Sequence, residues 1–266
     1  MSSFRSIELS DTPYEWGGLR FMTVKSQKLK GRGDICLYLP LQAKELENLP
    51  IYILLHGVYG SAWIWALKGG VHHTAQKMMD AGEIKPAILA MPSDGLWGDG
   101  SAYIEHQKHR YDRWIVEDVP QAILENISQA GEDSKICIGG LSMGGYGALR
   151  LGASFPSAFE AISGHSSITK LEQMGLFVEE ALEEYTSFCE EPNVVDLMIR
   201  NRSRLPALRF DCGNTDLLIK ANRELHTQLE KENIPHHYEE FPGGHEWPYW
   251  QEHVAKSLRF FDQHCH

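Results

Sequence analysis

The sequence predicts an α/β protein with a mainly parallel central sheet, helices on both faces and a small helical insertion after the sixth main strand. Three observations predict it. Short apolar runs alternate with amphipathic stretches, which is the rhythm of consecutive βα units. The run Ile51-Tyr52-Ile53-Leu54-Leu55 is apolar throughout, as in strands covered on both faces. The pentapeptide Gly140-Leu141-Ser142-Met143-Gly144 follows a strand-like run and precedes a helix-like one, the setting of a sharp strand-to-helix turn.

Residues 19–24 and 34–39 read as an antiparallel hairpin turning at Gly31-Arg32-Gly33. The strand Ile51–Leu55 leads to a helix over 71–81, a strand at 87–91 and a loop rich in Gly and Asp. Ile115, Val119, Ala122, Ile123 and Ile127 share one face of a helix spanning 114–130. Residues 135–139 form the strand before the pentapeptide, and a helix follows it toward Phe155-Pro156. Further strands are expected at 159–163, 207–212 and 237–241, with helices over 217–231 and 254–264. The segment 166–204 breaks the rhythm. It carries helical spacing (Leu171, Met174, Phe177, Val178, Leu182) and reads as a cap inserted over the carboxyl ends of the strands, where ligands bind in such sheets.

A length of 266 residues suits one domain with a large core. A formal charge of −11 argues against nucleic acid or an anionic membrane surface as partner, and no run approaches the length of a membrane span. The first six residues show no signal-type apolar segment, and the five cysteines (Cys36, Cys137, Cys189, Cys212, Cys265) are scattered and odd in number. The expectation is a reducing, cytoplasmic setting. Homo-oligomers stay open.

The pentapeptide carries the chemistry. A tight turn exposes the serine hydroxyl, and the flanking glycines let strand and helix pack closely. A serine needs a base, and the base needs a carboxylate to orient it, arriving later in the chain on loops after strands. Asp216 follows the strand 207–212, and His245 follows the strand 237–241 behind two glycines. Asp216 also suits a helix N-cap. Asp211 is expected within its strand, and His165 comes too early to be the base. The oxyanion needs N–H donors: Met143, after the serine, and Val58, in the loop His56-Gly57-Val58-Tyr59-Gly60. That loop also reads as an ordinary glycine-rich turn.

Leu54-Leu55-His56-Gly57, Gly140-Leu141-Ser142-Met143-Gly144-Gly145-Tyr146-Gly147-Ala148, Asp211-Cys212-Gly213-Asn214-Thr215-Asp216 and Gly243-Gly244-His245-Glu246-Trp247 together resemble the esterase D-type putative esterases. That group takes in tributyrin esterases, S-formylglutathione hydrolases, feruloyl esterases and mycolyltransferases. The resemblance runs from about Ile51 to the C-terminus and is greatest to the tributyrin esterase branch. It implies an α/β-hydrolase fold, no cofactor, and a triad of Ser142, Asp216 and His245 with Val58 and Met143 as oxyanion donors. The S-formylglutathione hydrolase pattern departs at the oxyanion loop and around the histidine.

These readings give a serine carboxylesterase acting on short-chain acyl or carbohydrate-linked esters. An acyltransferase or a thioesterase of the S-formylglutathione type would use the same triad, and a non-catalytic binding module would leave it idle. Trp63, Trp65, Trp97 and Trp247 sit on loops at one sheet edge, either lining a substrate pocket or packing the core. Asp94 and Asp99 read as a surface turn rather than a metal site, and the acidic stretch 178–184 as a solvated helix face.

Overall fold

The run Ile51–Leu55 becomes a strand whose side chains divide between two cores: Ile51, Ile53 and Leu55 enter one, Tyr52 and Leu54 the other. A pleated strand sends alternate side chains to opposite faces, so an unbroken apolar run demands cover on both. The computed structural model describes residues 3–40, 42, 45–185 and 193–265. Cys189, His266 and residues 186–192 of the insertion lie outside the described residues.

Among the described residues nine strands form the main sheet: β1 (Ile7–Leu9), β2 (Leu19–Ser26), β3 (Gly31–Tyr38), β4 (Ile51–Leu55), β5 (Ile88–Pro92), β6 (Ile136–Leu141), β7 (Ala161–His165), β8 (Ala207–Gly213) and β9 (His237–Phe241). Their order is β1-β2-β3-β5-β4-β6-β7-β8-β9. Pairing is antiparallel from β1 through the β3–β5 contact and parallel from β5 to β9. Helices α1 (Val71–Asp80), α2 (Val119–Asn126), α3 (Met143–Ser154), α4 (Val194–Arg200), α5 (Ile219–Lys231) and α6 (Trp247–Cys265) cover it. Val71 and Ala75 of α1 share a core with Val254, Leu258 and Phe261 of α6. Ile123, Leu149, Met198 and Leu225, from α2 to α5, pack on the opposite face. This is the α/β-hydrolase arrangement. No helix among the described residues is long and apolar enough to cross a membrane.

Several expectations need correction. Gly31 and Gly33 lie inside β3, and the turn falls at 27–30. Ser26 Oγ accepts Leu29 N–H there at 3.0 Å and Lys30 takes a φ of +48°. Gly33 is used for close approach instead, since a Cβ there would stand 2.4 Å from Trp114 Cζ2. The helix expected over 114–130 is a π-helical turn, Trp114–Asp118, running into the shorter α2. Pro120 has no N–H to continue an α-ladder through that turn. The strand expected at 159–163 is shifted, because β7 pairs with β6 as far as His165 opposite Leu141. α6 starts at Trp247 rather than near 254. In the insertion, the described part holds 3₁₀ turns at Leu171–Leu176 and Leu182–Glu184 and the short α4, so the long helical pattern is not realised. The scattered cysteines are partly gathered: Cys137 Sγ lies 2.8 Å from Cys265 Sγ, both buried.

Candidate active site

Ser142 sits between β6 and α3 with φ 55° and ψ −118°, a conformation that side-chain-bearing residues rarely hold. Its surroundings hold it there. Ser142 N–H donates to His165 O at 2.9 Å, and Ser142 O accepts Tyr146 N–H at 3.0 Å and Ile168 N–H at 3.3 Å. The glycines two positions away admit no side chain: a Cβ on Gly140 would stand 2.3 Å from Gly144 O, and one on Gly144 2.3 Å from Leu55 O. Only bare backbone lets β4, β6 and α3 approach this closely. The serine therefore faces the positive end of the α3 dipole.

The loops after β8 and β9 bring the other two groups. His245 Nε2 lies 2.9 Å from Ser142 Oγ, and His245 Nδ1 lies 3.1 and 3.0 Å from the two Asp216 carboxylate oxygens. The Asp216 side chain is fully buried and the His245 side chain 14% exposed, so the imidazole borders solvent and the carboxylate does not. Asp216 Oδ1 also accepts Leu218 N–H at 2.8 Å. α5 itself begins at Ile219, so Asp216 serves both purposes, bonding His245 and satisfying a backbone N–H at the approach to the helix. The two loops are stitched together: Gly243 O accepts Thr215 N–H at 3.0 Å and Thr215 Oγ1–H at 2.7 Å. A Cβ on Gly213 would stand 2.3 Å from Gly243 O, so this contact also depends on glycine.

The loop after β4 runs against the serine, for a Cβ on Gly57 would meet Ser142 Cβ at 3.3 Å. His56 is buried behind it, with Nδ1 2.7 Å from Gly57 O and Nε2 accepting Asp94 N–H at 3.1 Å. That pattern places the proton on Nδ1. Val58 and Met143 converge on Gly100, where an added Cβ would stand 3.4 Å from Val58 Cγ1 and 2.4 Å from Met143 Sδ.

Asp94 and Asp99 do not form a simple surface turn. Asp94 is buried, and its oxygens accept Leu96 N–H at 2.9 Å and Ser101 N–H at 2.6 Å. These bonds satisfy a carboxylate that burial would otherwise penalise. Asp99 joins three segments: its carboxylate accepts Tyr59 O–H at 3.1 Å and Glu179 N–H at 2.8 Å, and its N–H donates to Glu180 Oε1 at 3.0 Å. Glu179, Glu183 and Glu184 of the acidic stretch are exposed as expected, though the stretch holds a 3₁₀ turn at Leu182–Glu184 and not an α-helix, while the Glu180 carboxylate and the Glu179 N–H dock the insertion on Asp99.

The tryptophans divide. Trp65 is 1% exposed with Nε1–H donating to Leu55 O at 2.9 Å, so it belongs to the core and cannot line a pocket. Trp97 is half-buried, edge-on to His106 (4.4 Å) and Tyr185 (5.0 Å). Trp247 is half-buried between Trp65 (5.8 Å) and Trp250 (5.4 Å). Trp63 alone of the four is exposed, at 45%. They form no common platform. The aromatic groups that do meet His245 were missed: Phe177 stacks on it at 5.1 Å and 29°, and Trp250 stands edge-on to it at 5.0 Å. Phe177 was part of the helical spacing of the insertion, and that spacing alone could not aim it.

The putative esterase family model matches residues 26–261 of this chain. The acetyl esterase of Caldicellulosiruptor saccharolyticus is 27% identical over 240 residues, 82% of this chain and 85% of that protein. A ferulic acid esterase structure superimposes with a TM-score of 0.79 at 21% identity, covering 97% of this chain and 99% of that one. An S-formylglutathione hydrolase from Agrobacterium tumefaciens has a TM-score of 0.78 at 17% identity, with both chains covered completely. These structural likenesses show the fold.

Proposed function

The chain belongs to the putative esterase family, and from that premise we propose a serine carboxylesterase working through an acyl-enzyme at Ser142. One observation carries this reading: Ser142 Oγ, His245 and Asp216 form a continuous hydrogen-bonded line, with 2.9 Å at the serine end and 3.0 Å at the carboxylate end. Ser142 Oγ attacks the ester carbonyl while His245 Nε2 takes its proton. Asp216 holds the ring with Nδ1–H toward its carboxylate and stabilises the imidazolium. The oxyanion is received by the backbone N–H groups of Val58 and Met143, and each such donor contributes about 3 kcal/mol to transition-state stabilisation. His245 then protonates the leaving alcohol. It next takes a proton from a water as that water's oxygen attacks the acyl carbon, and it returns the proton to Ser142 Oγ as the acyl–serine bond breaks and the free acid leaves.

The substrate is a short-chain acyl ester or an ester on a carbohydrate. The acetyl esterase relative supports a small acyl group. Phe177, stacked on the base from the insertion, supports a bounded space beside the reacting carbonyl. The test is Ser142→Ala assayed with p-nitrophenyl acetate. Turnover and fluorophosphonate labelling should both vanish while thermal unfolding stays cooperative, and unchanged turnover would overturn the assignment.

A further inference from the structure

A second Ser, His and Asp meet in the molecule, away from Ser142. His165, the last residue of β7, has Nδ1 3.0 Å from Asp211 Oδ1 on β8 and Nε2 2.6 Å from Ser257 Oγ on α6. Arg209 places Nη2 2.8 Å from Asp211 Oδ2 and Nη1 3.1 Å from Ser257 Oγ, and Nη2 also pairs with Glu239 at 3.0 Å. Tyr249 O–H donates to Asp211 Oδ1 at 2.8 Å, and Ser163 Oγ lies 2.5 Å from Ser257 Oγ. Apart from Glu239, all of these groups are buried. A buried charged cluster is tolerated only when every charge is paired, and then it accepts one arrangement and few others.

The backbone gives this arrangement its reach. His165 O is the acceptor for Ser142 N–H, at 2.9 Å. Asp211 O accepts Ser166 N–H at 2.8 Å, and Asp211 precedes Asp216 across the end of β8. Tyr249 and Ser257 both lie on α6, the helix that begins just after His245. So one buried cluster touches the segments carrying each of the three groups at the site.

We propose that His165 is a positioning residue for hydrolysis at Ser142, its buried pair with Asp211 locking together the three segments that carry Ser142, Asp216 and His245. A latent second nucleophile does not fit. Ser257 lies inside a helix at 1% exposure, against Arg209 and Ser163, with no room for an acyl group.

Three variants separate the contacts. Ser257→Ala removes the Nε2 partner and leaves the Asp211 pair. His165→Asn keeps a donor where Nδ1 stands, and His165→Gln reaches toward Ser257 while giving up Asp211. Rates with p-nitrophenyl acetate are taken per fluorophosphonate-reactive site, so unfolded protein does not count. Since a displacement of 1 Å can lower a rate about 100-fold, a fraction of that shift should lower kcat about tenfold in His165→Gln. Ser257→Ala and His165→Asn should show smaller losses, with KM within about twofold of wild type in all three. The midpoint of the pH profile of kcat/KM should move as well, because it reads the Asp216–His245 contact. Wild-type kcat per site and an unmoved pH midpoint in every folded variant would overturn the proposal, whatever the Tm. Labelling of Ser257 would do the same. If His165→Gln fails to fold, the other two decide by the same criterion. The inference rests on the Ser142 reading, which wild-type labelling and its loss in Ser142→Ala test separately.

Discussion

Ser142–His245–Asp216 and Ser257–His165–Asp211 contain the same three residue types at nearly the same distances: 2.9 and 3.0 Å in one, 2.6 and 3.0 Å in the other. Their settings differ in each respect that matters for chemistry. Ser142 stands at a left-handed elbow before a helix N-terminus, and its histidine borders solvent. Ser257 is in mid-helix, and its aspartate is shared with an arginine. Burial would raise the Asp211 pKa, but the His165 charge and hydrogen bond, Arg209 and Tyr249 together hold it down to about 2. The lesson is that spacing among three side chains does not make a nucleophile; access, backbone strain and a place for the oxyanion do.

The sharpest way to break this contrast is to neutralise each aspartate in turn. Asp216→Asn should lower kcat about 10⁴-fold by favouring the wrong histidine tautomer, with little change in thermal unfolding. Asp211→Asn should act mainly on stability, with a loss of kcat per folded site no larger than the about tenfold expected of His165→Gln. It leaves Arg209 without its buried counter-charge, a loss of about 3–5 kcal/mol. That should lower Tm by roughly 6–20 °C in calorimetry, given about 2–4 °C per kcal/mol in a chain of this size. If Asp211→Asn proved as inactive as Asp216→Asn at full stability, the two sets would not be distinct in kind.

Phe177→Ala tests the aromatic cover of the outer site, which the buried set has no need of. Its loss should lower kcat/KM for acetyl esters about three- to tenfold, as one well-placed ring contact is worth about 0.5–1.5 kcal/mol. It should also improve relative turnover of bulkier acyl groups, read on a chain-length panel. The smallest expected effect is on pH. Burial beneath Trp97, Tyr111 and Tyr185 pushes the His106 pKa down to about 4 from 6.5. The folded state then holds the ring neutral while the unfolded chain protonates it. Its contribution to stability is complete above pH 6.5 and is lost as pH falls toward 4. Tm measured between pH 7.5 and 5 should fall less steeply in His106→Gln than in wild type.

How much of this was legible in the sequence depends on the range of the cause. The pentapeptide, the two late loops and the doubly covered strand were readable because glycine requirements and side-chain alternation are local demands. The fate of Trp63 and Trp65 was not: two residues apart, one is exposed and the other buried, according to the helical turn Ile64–Leu67 that carries the chain past them. Phe177 meets His245 and Asp99 meets Glu180 across long stretches of chain, with no periodicity to announce either. Ser257 was readable only as a member of a helix, Asp211 as a member of a strand and His165 as a residue following one too early in the chain to be the base. A cluster whose effect is to align other residues leaves no motif of its own.

The Asp99 junction has a consequence for how such a site can diversify. The loop after β4 and the insertion are fastened at the Asp99 carboxylate and N–H, through Tyr59, Glu179 and Glu180. A replacement insertion of different length or composition would need a backbone N–H and a carboxylate at that point, and a hydroxyl donor to Gly100 O like that of Tyr185 at 2.8 Å, to land in register. The rest of its surface is then free to vary. Asp99 in this sense is a grafting socket, from which new specificities can be exchanged while the apparatus around Ser142 keeps its form.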